Sequence, residues 1–256
     1  MKKIMLIASF VTAMFCVFAE VKTSQKGDPA ASPYVVASTS WTAAFADIAG
    51  ADNVEIIAPA NLRHPPEYEV TVSDIQKILD CDFFIYAGFE RMMKTLGGVT
   101  ESSKMIKILS DNSVSTVTSE TKKIAEILHT EGENEKRLKA YVKTIEDGKA
   151  EVQKRGLNKL KVLCNKHQIY LARELGFEVD DVFGPGPVTA MQIAKAKDGG
   201  YALIIDNIHN PQGKALVEVL PNAKYVVWRN FPDCVERNAL LNVVQKNIDS
   251  LLKAFK

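Results

Sequence analysis

Short apolar runs and segments of helical periodicity alternate along this chain. The apolar runs are rich in β-branched and aromatic residues, as strands are. They predict strands at 34–38, 54–58, 83–87 and 105–109, and again at 161–164, 179–183, 202–205 and 225–228. Strands that are apolar on both faces indicate parallel sheets covered by helices on each side.

Helical patterns fill the intervals between these runs. They predict helices at 42–48, 72–79, 91–96, 169–175, 189–196 and 213–220. The segment 237–255 has an apolar stripe typical of an amphipathic helix, formed by Leu240, Leu241, Val244, Ile248, Leu251 and Leu252. Because the alternation of strands and helices occurs twice, we expect two α/β lobes.

A charged, proline-free segment at 120–155 separates the two halves. Its apolar residues have helical spacing and predict a long helix, with Gly132 as a potential break. The predicted fold class is α/β, with two lobes that each contain a mainly parallel four-stranded sheet flanked by helices. One long helix links them, and the ligand cleft lies between them. The predicted division is 34–118, 119–157 and 158–256.

The amino terminus has the features of an export signal. A basic start, Met1-Lys2-Lys3, precedes an apolar stretch that ends before Glu20. The stretch is shorter than the roughly 20 residues that span a membrane. We therefore predict a signal peptide at 1–19, a flexible tether at 20–33, and a protein of the periplasm or cell-envelope surface. Cys16 offers a lipid anchor as an alternative, which Phe15 before it disfavours.

Composition excludes some classes of protein. The formal net charge is +1 and no basic stripe is present, which argues against nucleic-acid binding. The remaining cysteines, Cys81, Cys164 and Cys234, are odd in number, so a fully disulfide-stapled scaffold is excluded. Cys81 and Cys164 lie in apolar runs and are predicted to be buried thiols, although one pair could be bridged. We expect a monomer.

Three of the four histidines follow predicted strands. His64 lies in Arg63-His64-Pro65-Pro66-Glu67-Tyr68-Glu69 after the second strand, His167 follows the fifth, and His209 follows the seventh. Ligands of open α/β sheets bind at the carboxyl ends of strands. The positions predict a metal held between the lobes, with ring nitrogens converging to about 3–4 Å, or modestly more in an apo form.

Acidic residues occupy similar places. Asp206 precedes His209 by three residues, and Glu90 follows the third strand. Each acid could instead cap a helix. The fourth histidine, His129, lies in the linking segment and is predicted to be solvent exposed. Imidazole and carboxylate together suit Zn²⁺.

Several motifs resemble those of the zinc/manganese solute-binding proteins of bacterial ABC importers. The segment from His64 to Glu69 is similar to the family's His-Pro-x-Glu-Tyr-Glu motif, which carries its first ligand. Ala87-Gly88-Phe89-Glu90 and Lys166-His167-Gln168-Ile169-Tyr170-Leu171 are similar to two later family elements. The resemblance covers essentially the whole mature chain. It implies two α/β lobes bridged by a helix, a metal between them, an ABC permease as partner and no enzymatic activity.

The chain departs from the family at two ligands. Thr116-Val117-Thr118-Ser119-Glu120 lacks the histidine that the family carries before its linking helix, and Asp233 matches the last ligand only loosely. We interpret His209 as a replacement. The predicted metal ligands are His64, His167, His209 and Asp206, with Glu90, Glu67 and Asp233 as further ligands or supporting residues. Three imidazoles and one carboxylate would saturate tetrahedral Zn²⁺, and Mn²⁺ is the alternative metal.

Two other functions remain open from the sequence. A secreted zinc-dependent hydrolase could use Glu67 or Glu90 as general base, although no HExxH motif is present. The same fold could also bind haem or a siderophore chelate.

Overall fold

The computed structural model describes residues 32–96, 98 and 101–256. The predicted signal peptide, Cys16 and nearly all of the tether lie outside the described residues. In the part of the chain that is described, none of the helices has the length and apolarity needed to cross a bilayer.

The first lobe is built on a parallel four-stranded sheet in the order β2-β1-β3-β4. Its strands are β1 (Tyr34–Ala37), β2 (Asn53–Ile56), β3 (Phe83–Tyr86) and β4 (Met105–Lys107). Its helices are α1 (Ser40–Ile48), α2 (Val72–Asp80) and α3 (Met92–Thr95). Thr39 and Thr71 begin α1 and α2 with capping boxes.

Two helices connect the lobes, α4 (Val114–Leu128) and α5 (Glu131–Lys154). The chain breaks between them at His129, which adopts the left-handed conformation with φ 57°. Histidine is among the residues enriched in that conformation. The break lies before the predicted Gly132, and α4 includes Thr116–Glu120. The long linking helix is therefore α5, which packs on α1 and α4 in one lobe and on the carboxy-terminal helix in the other.

The second lobe repeats the arrangement, with the strand order β6-β5-β7-β8 and all pairs parallel. Its strands are β5 (Val162–Asn165), β6 (Val179–Phe183), β7 (Leu203–Asn207) and β8 (Lys224–Trp228). Its helices are α6 (Ile169–Glu174), α7 (Ala190–Lys197), α8 (Lys214–Val219) and α9 (Ala239–Ala254). The predicted fold class is confirmed.

One hydrophobic cluster extends through both lobes. It includes Phe45 of the first lobe, Tyr141 of α5 and Trp228 of the second lobe, all fully buried. Gly148 on α5 permits close contact with α9, since a Cβ there would lie 2.6 Å from Ile248 Cδ1. The continuous core makes the lobes one packed unit.

The thiols are structural. Cys81 and Cys164 are buried, as predicted, and they and Cys234 are all free, so no pair is bridged. Burial raises the pKa of the Cys164 thiol, which keeps it protonated and unreactive.

Candidate metal centre

A cavity of about 370 Å³ lies between the lobes, at the carboxyl ends of the strands. We refer to it as the interlobe cavity. Every strand except β6 contributes a residue to its wall, through its end or through the segment that follows it. His64 comes from the first lobe, and His167 and His209 come from the second. The three histidines that were predicted to lie between the lobes therefore line the same cavity.

His64 is positioned by a rigid turn. It precedes a 3₁₀ helix at Pro65–Glu67, whose two prolines restrict the backbone. Glu67 N donates to His64 O at 3.0 Å, and Arg91 N donates to Pro66 O at 2.7 Å. The second hydrogen bond ties this turn to the segment after β3. The His64 side chain is exposed and lines the cavity.

His167 is positioned by the end of β5. The side chain of Asn165 accepts a hydrogen bond from His167 N at 3.1 Å, and Gln168 N donates to Asn165 O at 2.8 Å. This turn directs the chain from β5 into α6. Partial enclosure by the protein lowers the pKa of His167, and the neighbouring charge of Lys166 lowers it further. The imidazole is consequently neutral at pH 7.

His209 is the most enclosed of the three imidazoles. Its backbone N donates to Asn207 Oδ1 at 2.9 Å, and its ring stacks on Phe231 with centroids 3.7 Å apart. Its Nε2 is buried and has no hydrogen-bond partner among the described residues. Burial, followed by the charge of Arg229, lowers the pKa of His209 to about 4. The ring therefore offers an unprotonated nitrogen at neutral pH, as a metal ligand must.

The three imidazoles share the cavity without converging on one point. Among residues 32–96, 98 and 101–256, no group of three or more His, Cys, Asp or Glu side chains is close enough to hold a metal ion. The three rings do not form a complete ligand set here, and their predicted convergence to about 3–4 Å, or modestly more in an apo form, stays a prediction. His64 belongs to a different lobe from the other two, so convergence requires the lobes or the side chains to move.

Asp206, one of the predicted metal ligands, accepts several hydrogen bonds within the fold. It is fully buried and does not line the cavity. Its Oδ1 accepts hydrogen bonds at 2.7–3.3 Å and its Oδ2 at 2.7–2.9 Å, from Asn165, Asn207, Gln212, Gly213 and Tyr225. The carboxylate thereby joins the loops that carry His167 and His209.

Glu90 is engaged in the same way in the first lobe. It is buried and accepts hydrogen bonds from the Ser38 hydroxyl, from Ala87 N at 2.8 Å and from Gly88 N at 2.6 Å. These contacts join the ends of β1 and β3 and place Phe89 at the cavity rim. Glu90 therefore shapes the wall and does not itself line the cavity.

The remaining candidates are exposed. Glu67 lies in the 3₁₀ helix and does not line the cavity. Asp233 forms an ion pair with Arg229 at 3.2 Å and lines a smaller adjoining cavity of about 220 Å³, whose wall also includes Arg63 and His209. His129 is exposed and lies outside the cavity wall, which confirms the prediction for it.

Sequence reasoning missed the aromatic and amide residues of the wall. Trp41, Phe89, Tyr170 and Phe231 all line the cavity, and none of them was among the predicted site residues. Their positions in strand-end loops or in the first turn of the next helix were the available signal. Arg63 also lines the wall, in the motif that contains His64.

Unpaired polar atoms are concentrated in this wall. Trp41 Nε1, Ser110 Oγ, His209 Nε2 and Asn230 Oδ1 are all buried without a hydrogen-bond partner in the described part of the chain. Most buried polar atoms in proteins are paired, so each exception calls for an explanation. Two of these atoms, the imidazole nitrogen and the amide oxygen, have lone pairs that suit a metal ion.

Comparison with solved structures identifies the same fold in metal-binding proteins. The SBP FpvC of P. aeruginosa, in complex with Ni²⁺, shares 18% identity over 87% of this chain and 96% of its own, with a TM-score of 0.65. A periplasmic metal-binding protein from Candidatus Liberibacter asiaticus shares 17% identity over 88% of this chain and 100% of its own, also with a TM-score of 0.65. Its Mn-bound structure gives 16% identity and a TM-score of 0.62.

No protein-family model matches the sequence, and no curated protein shows a significant match. At this level of identity, the structural likeness establishes the fold alone.

Proposed function

We propose that this protein is an extracytoplasmic receptor that captures a divalent metal ion, Zn²⁺, in the interlobe cavity and delivers it to an ABC permease. The observation that carries the proposal is that three of the four histidines, drawn from both lobes, line this one cavity. Proteins of the same fold support it, since their structures are described with Ni²⁺, Mn²⁺ and Cd²⁺.

The cavity chemistry favours Zn²⁺ over Mn²⁺. The described wall contains three imidazoles and no Asp or Glu. Imidazole nitrogens suit Zn²⁺, whereas Mn²⁺ prefers oxygen ligands, and divalent ions of this row bind nitrogen sites more tightly from Mn²⁺ towards Cu²⁺. We therefore propose that Mn²⁺ binds more weakly than Zn²⁺.

The proposed ligands are His64, His167 and His209. Asp206 joins the loops that carry His167 and His209, and Asp233, paired with Arg229, is the nearest exposed carboxylate of the adjoining cavity that His209 also lines. Approach of the lobes would bring His64 to the other two imidazoles. Exchange between separated and converged imidazoles would then couple metal capture and release to lobe movement.

The cavity wall disfavours a hydrolase. A zinc hydrolase needs a general base within reach of the metal-bound water. Neither Glu67 nor Glu90 lines the cavity, and both oxygens of Glu90 already accept hydrogen bonds. We therefore propose a binding protein without catalytic activity.

Elemental analysis of protein purified without chelators, followed by calorimetric titration of the apo form, tests this function. We expect about one equivalent of Zn²⁺ per chain, and binding of Mn²⁺ at least about tenfold weaker. An apo protein that binds neither ion would overturn the proposal. Visible absorbance of the purified protein would instead support the haem or siderophore alternative.

A further inference from the structure

The interlobe cavity is larger and more apolar than a bare ion requires. Its volume of about 370 Å³ falls within the range of about 300–1,000 Å³ that is typical of small-molecule sites. Trp41 and Phe231 form part of its inner wall, while Phe89 and Tyr170 are 59% and 41% exposed at the rim. Such a wall provides contact area for an organic group as well as a metal.

The charge around the cavity does not balance a dication. The described wall contains no carboxylate, while Arg63 contributes a positive charge. Lys166 precedes His167 in the chain, and Arg229 lines the adjoining cavity together with His209, although Arg229 is paired with Asp233. The acids Asp206 and Glu90 are held by their own hydrogen bonds. A divalent ion on three neutral imidazoles would keep its full charge in a partly desolvated site, which is costly.

Two unpaired polar atoms of the wall indicate what kind of group would supply the missing negative charge. The indole nitrogen of Trp41 can only donate a hydrogen bond, so a metal cation cannot satisfy it. The Ser110 hydroxyl, also unpaired, can donate as well. Both residues belong to the same wall as Arg63, whose exposed guanidinium matches a carboxylate brought in by the ligand.

We propose that the cargo is a divalent metal already bound to a small carboxylate-bearing chelator, and not the bare ion. This inference rests on the proposed function. The imidazoles replace water molecules on the metal, with no change in oxidation state. The chelator supplies the negative charge and the oxygen ligands that the wall lacks, and Arg63 binds its free carboxylate.

Equilibrium dialysis at constant free Zn²⁺ tests the proposal. Total Zn²⁺ is raised together with radiolabelled citrate in one series and L-histidine in a second, so that free Zn²⁺ stays the same in every chamber. Binding of the bare ion would then be independent of the chelator. We expect Zn²⁺ occupancy at low free Zn²⁺ to rise at least tenfold in one series, with the chelator retained in an amount equal to the metal. The series in which Zn²⁺ occupancy rises identifies the class of chelator.

Matched variants assign the roles. Arg63→Gln should abolish most of the chelator-dependent increase, whereas binding of Zn²⁺ alone should be no weaker, because the substitution removes a positive charge from the wall. Arg91→Gln is the control, because Arg91 lies nearby in an exposed ion pair with Glu69 and does not line the cavity. An Arg63→Gln protein that behaves like the Arg91→Gln protein would overturn the role of Arg63.

Two further results separate this inference from the proposed function. Occupancy that stays constant or falls as chelator is added, in both series, would overturn the chelate proposal and leave Zn²⁺ capture intact. Absence of bound Zn²⁺ under every condition would overturn both.

Discussion

At the scale of single residues, a carboxylate at a strand end can either bind a ligand or stabilise the fold. Asp206 and Glu90 stand where a metal ligand would be expected, yet backbone N–H groups occupy their oxygens. Their sequence positions could not distinguish the two roles, since both require an acid after a strand. The histidines were easier to interpret because an imidazole is seldom needed to organise such a loop.

Asp206→Asn should be strongly destabilising. The substitution replaces one charged acceptor oxygen with a donor and places it against donors that remain buried. We expect a loss of about 3 kcal/mol in the free energy of unfolding, as for other buried charged hydrogen bonds that lose a partner. Urea unfolding measures it, with Asp233→Asn, at an exposed acid, as the control expected within about 0.5 kcal/mol. Unchanged stability together with lost metal binding would restore Asp206 as a ligand.

His209 should make the apo protein less stable in acid. Its folded pKa of about 4 lies below the ordinary histidine value of 6.5, so the unfolded chain binds more protons between these values. The free energy of unfolding should therefore fall as the pH drops from about 6.5 to about 4, with no further contribution from His209 below that. Stability curves of the parent and His209→Gln should diverge across this window. NMR titration of the imidazole with a pKa near 6.5 would contradict the account.

At the scale of elements, hydrogen bonds tie α1 to the loop between β8 and α9. Ser40 Oγ donates to Pro232 O at 2.6 Å, and Asn238 N donates to Asp47 Oδ2 at 2.8 Å. The same loop carries Phe231 and Asn230 of the cavity wall. These contacts therefore set the distance between the lobes at the site.

Arg137 on α5 binds two acidic residues next to these contacts. The buried Arg137 donates to Asp47 Oδ1 at 3.2 Å and to Asp52 Oδ1 at 2.6 Å. Arg137→Met should lower the free energy of unfolding by about 3 kcal/mol or more, because Asp47 would remain buried without its partner. Arg237→Met is the matched control: Arg237 also contacts Asp52 but is half exposed, so a loss below about 1 kcal/mol is expected. Equal effects in chemical denaturation would contradict this ranking.

Elements were predictable because their burial leaves a pattern in the sequence. Leu203, Ile204 and Ile205 of β7, for example, are all buried and appear as an apolar run. The break at His129 was misplaced because it depends on one backbone conformation, for which the sequence signal is weak. Periodicity identifies a helix more reliably than it locates the helix ends.

At the scale of the whole molecule, the cavity is a product of tertiary structure. Its wall combines residues as distant in sequence as Thr39 and Phe231. The ends of the predicted strands indicated where the cavity lies. The sequence did not predict its aromatic wall or its lack of carboxylates, because these depend on which side chains face inward. The shared core and α5 join the lobes closely, so we expect small closing movements.

The central claim is that His64 joins His167 and His209 in binding one metal ion across the lobes. Calorimetric titration of the apo protein with Zn²⁺, in the presence and absence of the chelator that dialysis selects, tests it most directly. His64→Ala should weaken binding by at least about 100-fold, given the large binding energy of zinc sites. It should not alter the unfolding midpoint, because the side chain is exposed. His129→Asn, at an exposed position outside the cavity, should bind like the parent. If His64→Ala binds Zn²⁺ as tightly as His129→Asn does, the metal does not bridge the lobes and the account fails.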